Sequence, residues 1–584
     1  MFLFDTLHMA NTAMSSSQLG MQVVGQNLTN AQTAGYVRES LNLQTNSGKK
    51  TGNGILVGGG VHVTGITQVI DKFLEERLRN SISDSNASAT QEKYYSELEA
   101  LLNELSEYDL STSIESFFNS IDNIQNHPEN VTYRQMATEQ GLKLTKDINR
   151  IAAEITNIQT EINSTITNTA NDINKLLTEI NELNKGIALY EAGGTNNTSD
   201  AIGLRDQRLV ALTKLSEYVN IKTVENPSNG SVAIYCGSDI LLMDGVQSEL
   251  MVRKQYTENN NTFYAEICVK NTMTPLDVRS GYVVGLYQAN NEILGNFSNE
   301  LDKFALGLVD EFNKIYTSGQ GLTGYTNLTS LAAFDQPAQA ISSYPNLNPP
   351  ITNGGFYLQL YDPKTAVTTE HYIPIEVDQA PKVDPFSLKK SPAIIGTSIN
   401  DIANAINEIN GINASVNAFG ELEISSETSG LEFAFASDTS GVLSAIGINT
   451  FFTGNSANSI GINNTILNDP SKFAASKNGV GYDVNNSVQL SAMSVKPVAG
   501  LGNRSVIDLY DGMVSEIMLS ASTMKSINAT NSLYQASIQA QRDSISGVNI
   551  EEETILMMTY QRTFQANSRL VATINEMLQT LIEL

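Results

Sequence analysis

Three consecutive glycines, Gly58–Gly60, are the first residues whose type and spacing could do chemistry. Glycine-rich turns cradle phosphates in nucleotide-binding proteins, either as G-x-G-x-x-G or as a P-loop that ends in Gly-Lys-Ser/Thr. Here the third glycine of the first pattern is absent, and the lysine of the second is missing before Thr67. We therefore interpret the run as a flexible turn and predict no cofactor and no cofactor-binding residue.

Two short segments mimic the motifs of serine β-lactamases. Ser522 and Lys525 have S-x-x-K spacing and Lys50–Gly52 reads K-T-G, but their order is reversed and the S-D-N element is missing. The four histidines are dispersed, and no H-E-x-x-H zinc motif occurs. Pairs of carboxylates arise by chance in a chain with 62 acidic residues. The sequence therefore predicts no catalytic residue, no metal site and no enzyme.

The composition excludes further classes of protein. Cys236 and Cys268 are the only cysteines, too few for a disulfide scaffold; we interpret both as small buried residues, with a disulfide between neighbouring strands as the alternative. The formal net charge of −27 repels phosphate backbones, which argues against nucleic-acid binding. No run of 18 apolar residues predicts a membrane span, and Met1–Asp5 lacks the features of a secretory signal peptide.

A long helix with one apolar stripe is predicted at each end of the chain. The first stripe consists of Leu3, Leu7, Ala10, Met14, Ser17, Met21, Val24 and Leu28. The second consists of Met557, Tyr560, Phe564, Asn567, Val571, Ile574, Leu578 and Leu581. Both step by three and four residues, as coiled-coil helices do, and Asn549 with Glu552 provides a capped start for the second. Two such stripes in one chain favour pairing between them.

The predicted helix pair is too small to fold alone. Its sixteen stripe positions contribute about 30 kcal/mol at best on burial. Ordering about 65 residues costs roughly 1 kcal/mol for each residue in backbone entropy. The pair needs neighbours, and we expect identical copies of the chain to supply them. The sequence therefore predicts termini that are disordered in the monomer and ordered in an assembly.

Proline is concentrated in the middle of the chain, where nine of the 14 prolines lie between Pro337 and Pro392. Because proline interrupts helices, long helices are expected on either side of this stretch. Further helices are predicted at 69–107, 130–190, 200–218, 292–316 and 503–545. The apolar stripe of the 130–190 helix is predicted to run from Leu144 to Ile187 and to include Leu176 and Leu183, with a slip near 166–170. Short strands are predicted within 219–287 and 356–435, around a helix at 398–409.

These patterns predict a multidomain, mainly α protein. Its core is a long-helix bundle with coiled-coil-like terminal helices from both chain ends, and β-rich and α+β domains are inserted into it. The predicted domains are 1–60 with 546–584 as a terminal assembly domain, 61–218 with 288–324 and 471–545 as a long-helix shaft, 219–287 as a small β-rich subdomain, and 325–470 as an outward-projecting α+β domain.

One local motif, the segment from Asn27 to Arg38, points to a family. It reads N-L-T-N-A-Q-T-A-G-Y-V-R and resembles the N-terminal signature of the flagellar rod, hook and hook-associated proteins, roughly N-x-A-N-x-x-T-x-G-Y-x-R. The matching residues are Asn27, Asn30, Thr33, Gly35 and Tyr36. In this position an asparagine can cap the helix end, a glycine can take a positive φ, and a tyrosine can anchor the exit. Thr29 and Ala34 depart from the residues frequent in the family.

Other segments extend the resemblance to most of the chain, most weakly at 320–395. Residues 546–552 and 560–566 resemble the C-terminal signature of the family. The stretches that resemble its hook-associated members are 57–74, 204–216, 301–316 and 438–454. Rod proteins are much shorter, and a hook protein would be mostly β beyond its termini.

The resemblance implies a structural subunit of the bacterial flagellum, located outside the cell at the junction of hook and filament. It implies export through the flagellar type III apparatus, with a cytoplasmic export chaperone on the C-terminal segment. The implied partners are further copies of the chain, the hook protein and hook-associated protein 3. The residues expected to pack the assembly are Leu7, Met14, Met21, Val24, Leu28, Met557, Tyr560, Phe564, Ile574 and Leu578.

Two alternatives stay open at this point. A large hook-type subunit of the same class would be favoured by a strand-dominated middle, and the helix predicted at 130–190 argues against it. A secreted adhesin or enzyme with flagellar-type termini would need a metal motif or a perturbed acid pair within 325–470. The sequence offers neither.

Overall fold

The computed structural model describes residues 2–33, 35–50, 56–102, 109–191, 201–257, 262–345, 347–365, 367–377, 396–481 and 483–583. Within these ranges the chain forms thirteen α-helices. They are α1 (Phe2–Asn30), α2 (Lys72–Leu102), α3 (Leu110–Asn126), α4 (Val131–Glu191), α5 (Ile202–Tyr218), α6 (Tyr282–Gln288), α7 (Gly295–Tyr316), α8 (Ile399–Asn407), α9 (Val442–Ile446), α10 (Asn464–Asn468), α11 (Asn485–Ala492), α12 (Val506–Ser546) and α13 (Ile550–Glu583). A π-helical segment, Ala289–Leu294, joins α6 to α7.

The strands are short and fall into several small antiparallel sheets. They are β1 (Glu39–Thr45), β2 (Lys49–Lys50), β3 (Leu56–Val57), β4 (Val61–Gln68), β5 (Lys222–Glu225), β6 (Val232–Cys236), β7 (Asp239–Met243), β8 (Val246–Gln247), β9 (Leu250–Thr257), β10 (Thr262–Val269), β11 (Thr274–Pro275), β12 (Asn327–Thr329), β13 (Gly354–Asp362), β14 (Val367–Ile375), β15 (Ile412–Val416), β16 (Leu422–Ser426), β17 (Glu432–Ala436), β18 (Phe452–Thr453) and β19 (Gly461–Ile462). The mainly helical content with several small sheets confirms the predicted balance of elements.

The chain divides into two compact units. The first unit comprises Met1–Tyr94, Gln159–Ile293 and Ala521–Leu584, and the second comprises Tyr95–Ile158 and Leu294–Ser520. Both chain ends and the β-rich segment β5–β11 therefore belong to one unit. The finer division into four domains stays a prediction. Within the described ranges, no helix combines the length and the apolar composition needed to cross a membrane.

In the first unit, α1 packs along α13, and the hairpin of β1 and β4 packs on α1. All eight residues of the α1 stripe and seven of the α13 stripe are buried or half-buried, whereas Leu581 is exposed. The helices approach closely at Gly20, where a Cβ atom would come within 2.6 Å of the Tyr560 ring. The two terminal helices thus pair within one chain, and their coiled-coil character stays a prediction.

Helix α4 is one continuous helix of 61 residues, as the sequence predicts. Its buried stripe differs from the prediction near the C-terminal end, where Leu177 and Asn184 are buried and Leu176 and Leu183 are only half-buried. The reason is that Asn184 uses its amide to bind a strand, and a count of apolar residues overlooks a buried polar one. The glycines and asparagines at 193–197, which the prediction placed after this helix, lie outside the described residues.

Asparagines on α4 hold the strands of the first unit through both ends of the side-chain amide. Asn174 donates to the carbonyl of Leu250 at 2.8 Å and accepts from the N–H of the same residue at 2.9 Å. The same two-point pairing joins Asn184 to Val232, and Asn163 to Phe263 and Ala265. We call Asn163, Asn174 and Asn184 the amide clamps. Each clamp satisfies strand-edge backbone groups that need a partner.

Replacing Asn174 with alanine is expected to loosen β9, because it removes both hydrogen bonds from the buried residue Leu250. Leaving those backbone groups unpaired costs about 1–3 kcal/mol. Amide exchange at Leu250 should therefore accelerate roughly tenfold or more. A suitable control is Asn157→Ala, since the amide of Asn157 is exposed and contacts Glu154. Equal effects of the two variants would argue against the clamp.

The two cysteines are buried and free, on β6 and β10. The prediction of small buried residues is confirmed, and the alternative of a disulfide between neighbouring strands is wrong. Burial is the main reason that the pKa of the Cys236 thiol rises to about 12. This thiol is therefore protonated at neutral pH and acts as an apolar side chain.

The second unit contains the predicted α+β segment. Its sheets have the strand orders β14-β13-β17 and β12-β16-β15, and α8 begins at a capping box formed by Ser398 and Asp401. One apolar core collects side chains from Tyr325 to Ile448. The strands predicted between 356 and 435 are confirmed to within a few residues. Helix α3 and the β1–β4 hairpin were not predicted.

Candidate functional site: the terminal junction

The Asn27–Arg38 motif forms the exit from α1. Gly35 has a φ of +78°, a conformation that favours glycine, and a Cβ atom here would lie 2.3 Å from Cγ2 of Val210. The side-chain amide of Asn30 donates to the carbonyl of Gln26 at 3.1 Å, and the Thr33 hydroxyl lies 3.3 Å from Oδ1 of Asn30. The expected roles of the glycine and the asparagine at the helix end agree with this geometry. Ala34 lies outside the described residues.

Asn27 is the centre of a buried polar cluster and is only 1% exposed. Its Oδ1 accepts from the hydroxyl of Tyr36 at 2.8 Å and from the N–H of Glu39 at 2.9 Å. Its Nδ2 donates to the carbonyl of Glu39 at 2.9 Å and to Oε2 of Glu553 at 3.0 Å. All four hydrogen-bonding positions of the amide are occupied, so only asparagine satisfies every partner.

Glu553 brings the other end of the chain into this cluster. It lies in the first turn of α13, is 1% exposed, and accepts from Nε of Arg38 at 2.7 Å as well as from Asn27. The backbone N–H of Arg38 also donates to the carbonyl of Ser546 at 2.9 Å. We call Asn27, Tyr36, Arg38, Glu39 and Glu553 the terminal junction. A buried ion pair of this kind is costly to break, because either partner alone is an uncompensated buried charge.

The start of α13 is capped by Asn549, as predicted. Its Oδ1 accepts from the N–H groups of Glu551 at 3.0 Å and Glu552 at 3.4 Å, and its carbonyl accepts from the N–H of Glu553 at 3.0 Å. The side chain of Glu552 is exposed and lies 3.5 Å from Arg38. The acidic residue that matters at this helix start is therefore the buried Glu553 and not its neighbour.

The carboxyl group of Glu39, within the terminal junction, lies near that of Asp206, which is outside it. Glu39 is 6% exposed, and Gln68, opposite it in the β1–β4 ladder, donates to Oδ1 of Asp206 at 2.5 Å. Burial raises the pKa of Glu39, and burial together with the charge of Glu39 raises the pKa of Asp206 to about 7. Burial and the three nearby carboxylates also raise the pKa of Tyr36. We call Glu39 and Asp206 the carboxyl pair.

A second buried ion pair supports the same region from α12. Nε of Arg542 donates to Oε1 of Glu75, on α2, at 2.9 Å, and both side chains are at least nine-tenths buried. This pair fixes α12 to α2 four residues before Ser546, whose carbonyl accepts a hydrogen bond from the N–H of Arg38. The two ion pairs together tie α2, α12 and α13 to the exit from α1.

The residues predicted to pack the assembly lie on the stripes of α1 and α13. Val24 and Ile574 are buried, and the other eight, from Leu7 to Leu578, are half-buried. Helix α13 also carries exposed apolar side chains, of which only Leu581 belongs to the stripe. They are Ile550, Ile555, Met558, Leu570, Met577, Leu581 and Ile582.

Sequence reasoning missed most polar members of this region. Arg38 and Asp206 lie within segments that resemble the family, but their residue types alone predicted no role for them. Glu553 is one of three acids near a predicted helix start, a pattern that indicates only a favourable contact with the helix dipole. Glu39 and Arg542 carried no signal.

Among the described residues no cluster of three or more histidines, cysteines or carboxylates could hold a metal ion. Within the terminal junction, Arg38 is paired with Glu553, and the amide of Asn27 is fully hydrogen-bonded. What the terminal junction can do is hold two helices together at a fixed geometry.

Comparison with known proteins gives matches along the chain. Residues 95–329 match the family described as the flagellar hook-associated protein FlgK helical domain. Residues 539–584 match the flagellar basal body rod FlgEFG protein C-terminal family. The second match covers the end of α12 and all of α13, and so includes Glu553.

Curated relatives carry the same name in several bacteria. The flagellar hook-associated protein 1 of Salmonella typhimurium is 23% identical over 98% of this chain and 99% of that protein. The Bacillus subtilis protein of that name is 24% identical over 55% of this chain and 68% of its own length. The solved flagellar hook junction protein FlgK from Burkholderia pseudomallei aligns over 81% of this chain and all of that chain, at 15% identity and a TM-score of 0.47.

The motif at the exit from α1 lies near one end of the chain, the rod-protein match lies at the other end, and the helical-domain match lies between them. Relatives of one name align along almost the full length of the chain. The chain is therefore similar to the flagellar rod, hook and hook-associated proteins, and along almost its full length to flagellar hook-associated protein 1.

Proposed function

We propose that this chain is the structural subunit of the layer that joins the hook to the filament of the bacterial flagellum. Relatives named hook-associated protein 1 that align over 98% of the chain support this assignment. The observation that carries it is the hydrogen bond between Asn27 and Glu553, which joins side chains 526 residues apart. A subunit whose two ends together form one assembly element needs such a bond.

The terminal helices supply the assembly surface in this proposal. Asp5 is the only Asp, Glu, Lys or Arg in α1, in a chain whose net charge is −27, so copies can approach along this helix without strong repulsion. The stripes of α1 and α13 face each other, and the exposed apolar side chains of α13 are available to neighbouring copies. A tubular layer requires such a head-to-tail interface that does not close on itself.

The remaining parts of the proposal rest on the similarity of the chain to the flagellar hook-associated proteins. The chain is exported unfolded through the flagellar type III apparatus, with a chaperone on its C-terminal segment, and is not an enzyme. Outside the cell it contacts the hook protein, hook-associated protein 3 and other copies of itself. Residues 1–60 and 546–584 form the assembly domain and are disordered before assembly, and 325–470 project outward. The helical-domain match at 95–329 favours this role over a hook-type subunit.

Amide hydrogen exchange on the free chain and on the chain bound to isolated hooks tests the proposal. At pH 8, residues 2–30 and 550–583 of the free chain should exchange at random-coil rates, while α4 is protected. On hooks, both terminal segments should become protected. Failure to bind hooks, or full protection of both termini in the free monomer, would contradict the proposal, because the termini would then belong to a closed fold.

A further inference from the structure

Two carboxyl groups at the terminal junction, those of the buried Glu39 and the half-buried Asp206, have no salt-bridge partner among the described residues. The two buried glutamates nearby are both paired: Glu553 with Arg38, and Glu75 with Arg542 and with the charge of the buried Arg79. Arg38 bonds to Glu553, and Arg542 bonds to Glu75. Both cations are thereby occupied. Among the described residues no cation lies within salt-bridge distance of either member of the carboxyl pair.

Hydrogen bonds and the β1–β4 ladder link the carboxyl pair to the rest of the terminal junction. The amide of Asn27 holds both the N–H and the carbonyl of Glu39. Gln68 faces Glu39 across the ladder and donates to Asp206, and Asp206 also receives the backbone N–H of Val37. The charged and titratable groups that face the pair are Tyr36, Glu553 on α13 and Arg542 on α12. A change in the charge of Glu39 or Asp206 therefore affects β1, the strand that Asn27 holds at Glu39.

We propose that Glu39 and Asp206 form a proton-sensitive latch, which closes the terminal junction as the pH falls and loosens it as the pH rises. When both groups are ionised, two like charges repel each other, one on a buried and one on a half-buried side chain, without a cation of their own, and the folded junction is destabilised. A proton on either group removes this repulsion. Neutral Asp206 keeps an acceptor for Gln68, so its hydrogen bond survives protonation.

The direction of the pH dependence follows from the shifted pKa values. Asp206 has an ordinary pKa of 3.8 and a folded-state pKa of about 7, so the folded junction binds a proton that the unfolded chain releases. The stabilisation is complete below the ordinary pKa and is lost as the pH rises through about 7. Burial shifts the pKa of Glu39 upward too, so its contribution has the same sign.

The test is hydrogen exchange on the free chain at pH 6 and pH 8, expressed as protection factors corrected for the intrinsic rate. Residues 2–30 and 39–45 of the wild-type chain should be roughly tenfold more protected at pH 6 than at pH 8. In the variant Asp206→Asn this difference should fall below about twofold. The control is Asp172→Asn, which removes an exposed aspartate that pairs with Lys175 on the surface of α4, and which should keep the wild-type dependence.

Equal protection of the wild-type termini at the two pH values, including none at either, would overturn the latch. So would an Asp206→Asn variant that keeps the full pH dependence. If Asp206→Asn does not fold, Glu39→Gln takes its place and should likewise reduce the difference. The inference goes beyond the proposed function, and its test uses no hook, so failure of one leaves the other standing.

Discussion

Replacing Glu553 with alanine is expected to weaken the terminal junction by about 3–5 kcal/mol, the usual cost of removing one partner of a buried ion pair. The substitution leaves the guanidinium group of Arg38 without its 2.7 Å partner and one N–H of the Asn27 amide unpaired. The Asn27 amide, in a residue only 1% exposed, is shielded from water, and Arg38, whose side chain is 24% exposed, keeps only the 3.5 Å contact with Glu552. The loss of stability should therefore affect both ends of the chain.

The affinity for isolated hooks measures this loss, because folding of the junction accompanies assembly in our proposal. A cost of 3 kcal/mol corresponds to a rise of about 150-fold in the dissociation constant. The neighbouring substitution Glu552→Ala is the matched control, since Glu552 is exposed and lies 3.5 Å from the same arginine. It should change the affinity less than about threefold. Similar affinities for the two variants would show that burial of Glu553 is unimportant.

The substitution Gly35→Ala should have the next largest effect, a loss of about 2–5 kcal/mol. A φ of +78° costs an alanine about 1–2 kcal/mol. The new methyl group would also lie 2.3 Å from Cγ2 of Val210, on α5, and overpacking of this kind typically costs a further 1–3 kcal/mol. Relief would require a shift of the loop that carries Tyr36 to its hydrogen bond with Asn27.

Hydrogen exchange at residues 36–45 should report this effect at pH 6, where the latch favours the closed junction. Gly245→Ala separates the two causes, because Gly245 has a φ of +80° and the methyl group of an alanine there would meet nothing within 4 Å. That variant should show the backbone cost alone, without any change at 36–45. If Gly35→Ala leaves the exchange of 36–45 unchanged, the close contact with Val210 does not hold the exit from α1.

Much of the helical framework could be predicted because apolar periodicity is a local signal. Seven of the eight residues predicted for the α13 stripe are buried or half-buried. Both ends of α4 were predicted to within one residue. The strands β6, β7, β9 and β10 were predicted because β-branched runs alternate with turn residues. Prediction was weakest where polar residues are buried, as at Asn184, since burial by hydrogen bonding leaves no apolar pattern.

The terminal junction could be predicted only in part. The motif from Asn27 to Tyr36 indicated an exit from a helix, and this is what the structure contains. Its partner Glu553 is 526 residues away, and no local pattern connects the two. The β1–β4 hairpin was overlooked, although five of the eight residues of β4 are β-branched. Without that hairpin, Glu39 and Asp206 had no reason to be considered together.

The amide clamps affect how the protein responds to the salt concentration of the medium. Asn163, Asn174 and Asn184 attach helix to strand through neutral hydrogen bonds, and mobile ions do not screen neutral pairs as they screen surface charges. The self-repulsion of a chain with a net charge of −27, by contrast, weakens as salt is added. We therefore expect the first unit to keep its strand attachments as the salt concentration changes, and in the proposed assembly added salt makes close packing of neighbouring copies easier.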